Sequence, residues 1–401
     1  MDHLVTRTLD AFRIEWQRGD DPNPFIRHRE LFHAWHLARR RGLTDEAYVD
    51  LVRQLDAAIA RVDGRGFRTT PFGTQAALGQ RLGLEVRVKD ETGNVSGSHK
   101  ARHLMAILLY LHVVERRERP PLAIASCGNA ALAAAVLARA VDRRLQVFVP
   151  TDAAPAVLER LHRLGAEVAV CPRQGGVTGD PCVHRFHEAL AAGALPFCCQ
   201  GTENGLTIEG GETLAYEMTA QLGTAELDHV VLQVGGGAMA SAVIQGLRFL
   251  HRAGILSQLP RFHAVQTLGA WPLKRAWDRV QEQLRTLGEL DVLERATKRR
   301  SEFMWPWEET PRSVASGILD DETYDWLAVV KGMLASGGAP VVVDEATLRE
   351  ANALARETTG INVCHTGSAG LAGVLRLRRD GVIGEGARVA VIFSGVERRE
   401  A

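Results

Sequence analysis

Four short segments of this 401-residue chain carry residues whose types and spacing could do chemistry. In "NVSGSHKARH" (94–103) a polar turn rich in Gly and Ser delivers Lys100 to the mouth of the apolar run "LMAILLYLHVV". A lysine there is an anion contact, a solvated stem or a nucleophile; desolvation and the positive helix end would make it a better nucleophile, but the segment taken alone favours a solvated lysine on the first turn. In "LAIASCGNAALAAAVLARAV" a strand ends at Ser126, and Cys127, Gly128 and Asn129 turn into an Ala-rich helix. N–H groups at such a helix start bind carboxylate or phosphate, and the Asn129 amide can hold an oxygen; a plain capped turn is the equal alternative. In "VVLQVGGGAMASAVIQGL" the triplet Gly235, Gly236, Gly237 lies between strand and helix, a backbone cradle for one phosphate. Met239 and Ala240 follow where a dinucleotide fingerprint needs its third glycine, and no Gly-Lys-Ser/Thr closes a triphosphate loop. In "ARVAVIFSGVERRE" Ser394 ends a strand, where a hydroxyl can meet a ring nitrogen. A nucleophilic lysine, an amide for an oxygen, a one-phosphate cradle and a ring-nitrogen partner match an aldehyde, a phenolic oxygen, a phosphate and a pyridine. Those are the groups of pyridoxal 5′-phosphate.

The elements that must position these segments are legible as alternation. Short β-branched runs predict strands at 84–89, 145–149, 167–171, 229–234, 261–266, 340–343 and 388–393, besides the one ending at Ser126. Ala/Leu/Glu-rich stretches predict helices over 130–141, 153–164, 207–222, 239–252, 345–358 and 368–379. Strand–helix alternation gives βαβ units, a mostly parallel sheet, and ligands at the carboxyl ends of the strands. Length and strand number predict two domains. The apolar stretch around Cys198 and Cys199 reads as a buried strand, and 270–315 as a helix followed by a surface loop.

Composition narrows the function classes. Lys+Arg and Asp+Glu number 48 each, so no bulk charge draws the chain to nucleic acid or a membrane surface. No apolar run is long enough for a bilayer, and the first residues lack a signal-peptide apolar region. The six cysteines show no CxxC spacing, which points to reduced thiols in a cytoplasmic protein. His99 and His103 are four apart on one helix face, but no third ligand accompanies them, so no metal is expected.

From "RTTPFGTQ" (68–75) to "VIFSG" (391–395) the chain resembles the fold-type II pyridoxal-phosphate enzymes, the tryptophan synthase β-like superfamily. "TTPF", "GNVSGSHKAR", "SCGNAA", "GGGAM" and Ser394 match its segments in order. The resemblance implies an α/β fold of two doubly wound domains with largely parallel sheets and the cofactor in the cleft between them. It implies a helical N-terminal extension (1–65), a large cofactor-binding domain (66–100 and 200–401) and a smaller mobile domain with the asparagine loop (101–199). Lys100 would carry the cofactor as a Schiff base and serve as base. Asn129 would bond the phenolic oxygen, and Gly235, Gly236, Gly237, Ala238 and Met239 the phosphate, with His99 nearby. Ser394 would face the pyridine nitrogen. Ser126, Cys127, Gly128 and Ala130 would receive the substrate carboxylate, with Ser98 touching it or capping the helix. The implied chemistry is β-elimination or β/γ-replacement through an aminoacrylate-type intermediate, carried out by a homodimer on a small amino acid. "IEGGETLAYEMTAQLG" (208–223) resembles threonine synthases and "HTGSAGLAGVL" (365–375) the dehydratases and ammonia-lyases. "GSHK" is closer to the tryptophan synthase β subunit, so a tryptophan synthase β-like or cysteine synthase-like replacement enzyme is the alternative. A nucleotide-dependent enzyme or a non-catalytic cofactor-binding protein is remoter.

Overall fold

A computed structural model of the chain describes residues 19–115, 119–173 and 179–398; the first eighteen residues of the N-terminal extension lie outside the described residues. The strands are β1 (Phe72–Thr74), β2 (Glu85–Asp90), β3 (Leu122–Ala125), β4 (Leu145–Val149), β5 (Glu167–Val170), β6 (Leu195–Pro196), β7 (His229–Gln233), β8 (Arg261–Thr267), β9 (Pro340–Val343) and β10 (Arg388–Phe393). They form a six-stranded sheet ordered β1-β2-β10-β7-β8-β9 and a four-stranded sheet ordered β5-β4-β3-β6. Of the pairings between these strands, β1–β2 is antiparallel and the others are parallel.

Side-chain alternation explains the layers. Val230 and Leu232 of β7 enter one apolar core, and Val231 between them enters the core on the opposite face. β7 is therefore buried along its whole length, as a parallel strand covered by helices on both faces must be. The helices Leu206–Leu222 and Ala238–Arg252 cover one face, and Glu345–Thr359 and His365–Arg379 the other. A further core joins the four-stranded sheet to the helices Lys100–Val114 and Asn129–Ala140, and to Pro24–Arg27, His33–Arg40 and Asp45–Asp63 of the extension.

The strands at 145–149, 340–343 and 388–393 form over the expected residues. Two expectations need correction. Cys198 and Cys199 are buried but sit in a bend after β6: the edge pairing with β3 ends with the Phe197 N–H donating to the Ala123 carbonyl at 2.9 Å. The 270–315 stretch holds two helices, Pro272–Leu284 and Glu289–Lys298, before its loop. Trp305 and Trp307 of that loop pack over Arg275, their ring centroids 4.4 and 4.7 Å from its guanidinium carbon.

One polar cluster ties these parts together. Arg102 Nε and Nη2 donate to the two oxygens of Glu91 at 2.8 and 2.9 Å, and Nη1 and Nη2 to those of Glu217 at 2.7 and 3.0 Å. Lys89 Nζ donates to Glu217 at 2.5 Å and to the Thr70 carbonyl at 2.7 Å. Burial alone would push the Glu217 carboxyl up, but Arg102 and Lys89 outweigh it and hold it well below the usual carboxylate range. A group held down in the folded state adds stability above its unfolded value near 4.5, and that stability is lost as pH falls below it. Melting temperature followed from pH 7 to pH 3 is expected to drop through that window, and Glu217→Gln is expected to flatten the drop. Glu217→Ala, which strands two buried cations on Glu91, should cost about 3–5 kcal/mol in urea unfolding.

Candidate active site

The strand ends bring the four segments to one place. β2, β10 and β7 are parallel neighbours, so the lysine loop, Ser394 and the glycine triplet all leave the same edge of the sheet. Lys100 is the first residue of its helix. The turn before it is shaped by Asn94, whose side chain accepts from the Val95 N–H while its amide donates to Glu91 at 2.8 Å. Ser96 and Gly97 follow with φ of 59° and 67°, a left-handed pair that reverses the chain. Ser98 then pairs with Gly395, the His99 N–H donates to the Ser394 carbonyl at 3.1 Å, and the Val396 N–H donates to the Gly97 carbonyl at 2.9 Å. The lysine loop is thus stitched to the end of β10.

Both histidines beside Lys100 are neutral. Burial lowers His99 well below its ordinary range, and Lys100 and His103 add to the shift; burial likewise brings His103 down to about 3. Each Nδ1 lies by a carbonyl, Ser394 for His99 at 3.1 Å and Thr207 for His103 at 2.7 Å, so Nδ1 carries the proton and Nε2 is an acceptor. The structure anchors His99 to the Ser394 carbonyl as a neutral ring. No cluster of three His, Cys, Asp or Glu side chains fit for a metal occurs among the described residues.

The glycine triplet opens the Ala238–Arg252 helix, with Gly237 at φ 94° as its cap. The segment 318–325 straps it: Thr323 Oγ1 donates to the Gly235 carbonyl at 2.9 Å and the Asp325 N–H to the Gly236 carbonyl at 3.0 Å. A Cβ on Gly235 would lie 2.2 Å from Asp320 Oδ2 and 2.8 Å from the Ile318 Cα. The Gly236 N–H donates to the Asp320 carboxyl, so an amide of the cradle already addresses an oxyanion. Burial raises that carboxyl to about 6, against the opposing pull of Lys100 and the Gly236 N–H.

Across from them, Asn129 is the first residue of its helix, with Gly128 as cap and Cys127 exposed. Although its surface is open to solvent, desolvation by the walls around it, then Asp152 and Asp320, push the Cys127 thiol up, which disfavours its thiolate. Ser394 is buried, and its Oγ accepts from Gln233 Nε2 at 2.8 Å. The same Nε2 lies 3.0 Å from both the Gly367 and the Ile392 carbonyls and shares its two N–H groups among the three oxygens. The buried oxygens Ser98 Oγ and Gln233 Oε1 have no hydrogen-bond partner among the described residues. A cradle of small residues aimed at an oxyanion, a lysine at a helix start and unspent polar atoms suit a phosphorylated aldehyde.

A family model for pyridoxal-phosphate dependent enzymes matches residues 65–395. The chain belongs to that family. Its cofactor is pyridoxal 5′-phosphate. The chain is 24% identical to threonine synthase of Methanocaldococcus jannaschii over 331 residues, 81% of this chain and 74% of that protein. It is 32% identical to a serine dehydratase-like protein of Mus musculus over 198 residues, 48% of this chain and 56% of that one. The solved structure of maize serine racemase superposes with a TM-score of 0.65 at 17% identity, covering 87% of this chain and 93% of that one.

Three residues of this pyridoxal-phosphate enzyme escaped the sequence reading. Gln233 was visible as a lone amide in the apolar run "HVVLQV". Asp320 and Arg398 left no local signal, since distant segments bring them to the site. If the triplet holds the cofactor phosphate, Gly235→Ala should crowd Asp320 and Ile318, a strain of about 1–3 kcal/mol. Equilibrium dialysis should then show cofactor affinity weakened roughly 5- to 100-fold; unchanged affinity would take the triplet out of the binding site.

Proposed function

We propose that this enzyme removes the α-proton and the β-substituent of a small amino acid of the serine or threonine type. The observation that carries the reading is the Gln233–Ser394 pair. Two carbonyls fix which end of the Gln233 amide is the nitrogen, which shares its two N–H groups among them and Ser394 Oγ; the hydroxyl therefore meets no acceptor there and keeps its own proton to give. A hydroxyl that donates to the pyridine nitrogen meets it unprotonated. A ring without that positive charge draws electrons less strongly, which suits departure of a group from Cβ over reactions that hold charge on Cα.

Pyridoxal 5′-phosphate, when bound, supplies the electron sink that acidifies the substrate Cα–H. The chain's residues divide the remaining tasks. Lys100 holds the cofactor and moves the Cα proton. Gly235, Gly236, Gly237, Ala238 and Met239 take the phosphate through their backbone, and Asn129 the phenolic oxygen. Ser126, Cys127, Gly128 and Ala130 receive the substrate carboxylate, with Ser98 beside them. Asp320 places a carboxyl within electrostatic reach of Lys100. The match to a threonine synthase over 81% of this chain supports a second reading, replacement on a phosphorylated homoserine.

The division into a large domain (66–100 and 200–401) and a smaller mobile one (101–199) is supported by the strands. All four of the small sheet lie between 122 and 196. A cytoplasmic homodimer is the setting that the family resemblance suggests.

Purified protein loaded with cofactor and mixed with L-serine or L-threonine should release a 2-oxo acid and ammonia. Threonine from a phosphorylated homoserine, with no 2-oxo acid from either amino acid, would move the assignment to the second reading. Lys100→Ala should remove the visible absorbance of lysine-bound cofactor and lower turnover by roughly 10³-fold or more.

A further inference from the structure

The strand leaving β10 carries Arg398 back across the site. Its backbone is held on the way: the Val396 N–H donates to Gly97, the Glu397 N–H to the Asn362 carbonyl at 2.9 Å, and Asn362 Nδ2 to the Glu397 carbonyl at 3.2 Å. From there Arg398 Nη1 donates to Asn129 Oδ1, and Nη2 to the Ser96 carbonyl at 2.7 Å. One guanidinium therefore touches both the asparagine loop of the four-stranded sheet and the turn that leads into Lys100.

Each contact has a chemical consequence. A primary amide presents an acceptor on one side and a donor on the other. With Oδ1 taken by a cation's N–H, a flipped Asn129 would set its own N–H groups against the guanidinium, so the flip is disfavoured. Nδ2 is then the end left for another partner, and it lies by the close of β10, where a Cβ on Gly395 would come within 2.9 Å of it. The second contact fixes Ser96, a non-glycine residue at φ 59°. Its N–H donates to Asp63 Oδ2 at 2.9 Å and its carbonyl accepts from Arg398, so both of its peptide groups are held.

We propose that Arg398 is a positioning residue: it sets the polarity of the Asn129 amide toward the cofactor's phenolic oxygen and joins the asparagine loop to the lysine loop. This rests on the cofactor assignment above. A donor held on that oxygen favours its anionic form, so the effect is readable in the cofactor's colour as well as in turnover.

The test uses the full chain loaded with pyridoxal 5′-phosphate, wild type beside Arg398→Ala, Arg398→Lys, Asn129→Ala and the Arg398→Ala/Asn129→Ala double variant. In Arg398→Ala the midpoint of the pH titration of the visible absorbance should move up by about 0.5–1 pH unit, and cofactor affinity by dialysis should fall about 5- to 10-fold. The melting temperature of the cofactor-free protein should change little. Arg398→Lys, which keeps one charged donor, should recover part of both shifts. In the Asn129→Ala background Arg398→Ala should add little. Additive losses in the double variant, or an Arg398→Ala protein with wild-type titration and affinity, overturn the proposal. If Arg398→Ala does not fold, the comparison of Arg398→Lys with wild type decides, an unshifted titration counting against. A wild-type protein that takes up no cofactor and shows no visible band defeats the cofactor assignment itself, which is a distinguishable result.

Discussion

Glu91 and Glu217 share Arg102 and Lys89 in the interior, and none of the four side chains is more than 1% exposed. Withdrawing an ion from water costs several kcal/mol even after relaxation, roughly, so such a cluster is weak evidence for stability as such. What it fixes is geometry. Arg102 lies two residues beyond Lys100, Lys89 lies on β2, Glu217 on the Leu206–Leu222 helix, and Glu91 at the foot of the lysine loop. Two carboxylates and two cations leave no net charge, and Thr70 and Thr213 satisfy further N–H and carboxylate positions. An apolar substitute would fill the volume without specifying how far the helix start stands from the end of β2. The charged cluster specifies it through directional bonds.

That cluster explains a neighbouring pair of glycines. A Cβ on Gly210 would lie 2.2 Å from the Arg102 carbonyl oxygen, and one on Gly211 would lie 2.2 Å from His103 Cε1. The Leu206–Leu222 helix can approach the lysine helix only because both positions lack side chains. Glu217 and Thr213 then reach Arg102. By resemblance to threonine synthases "IEGGET" marks a substrate class; in the fold its glycines and Thr213 serve the packing that holds Lys100 in place. The substrate question rests instead on neutral groups, since His99, His103 and the Gln233–Ser394 pair line the lysine's surroundings without net charge, and Asp320 alone of those discussed brings a carboxyl.

The parts legible in sequence are those that a local pattern encodes. Lys100 at a helix start, Gly235–Gly237 between strand and helix, and Ser394 after β10 all follow from period and turn chemistry, and each stands where that pattern puts it. Local pattern says nothing about β1, three residues whose strand character comes from pairing with β2. It misleads at Cys198 and Cys199, where an apolar stretch predicts a buried strand although the backbone bends. It is silent on Arg398, 269 residues from Asn129, because their contact is made by the return of β10 between β2 and β7.

The extension ahead of the family match belongs to the same argument. Its helix Asp45–Asp63 ends with Gly64 at φ 83°, and the last helical residue, Asp63, turns into the site's lower layer. The Asp63 carboxylate accepts the Ser96 N–H at 2.9 Å and lies 3.4 Å from Arg160 of the Pro155–Arg163 helix. Asp56, seven residues and about two turns earlier, accepts the Phe67 N–H at 2.6 Å and so fixes the chain where it enters "TTPF". Both carboxylates satisfy backbone donors of segments that the family match includes, while the helix carrying them lies outside it. Ser96 would otherwise hold a left-handed conformation with a buried N–H unpaired, at a cost of about 1–3 kcal/mol on either count. The helix of the extension is therefore a structural part of the lysine loop, joined to it by the one peptide group whose conformation the loop can least afford to lose.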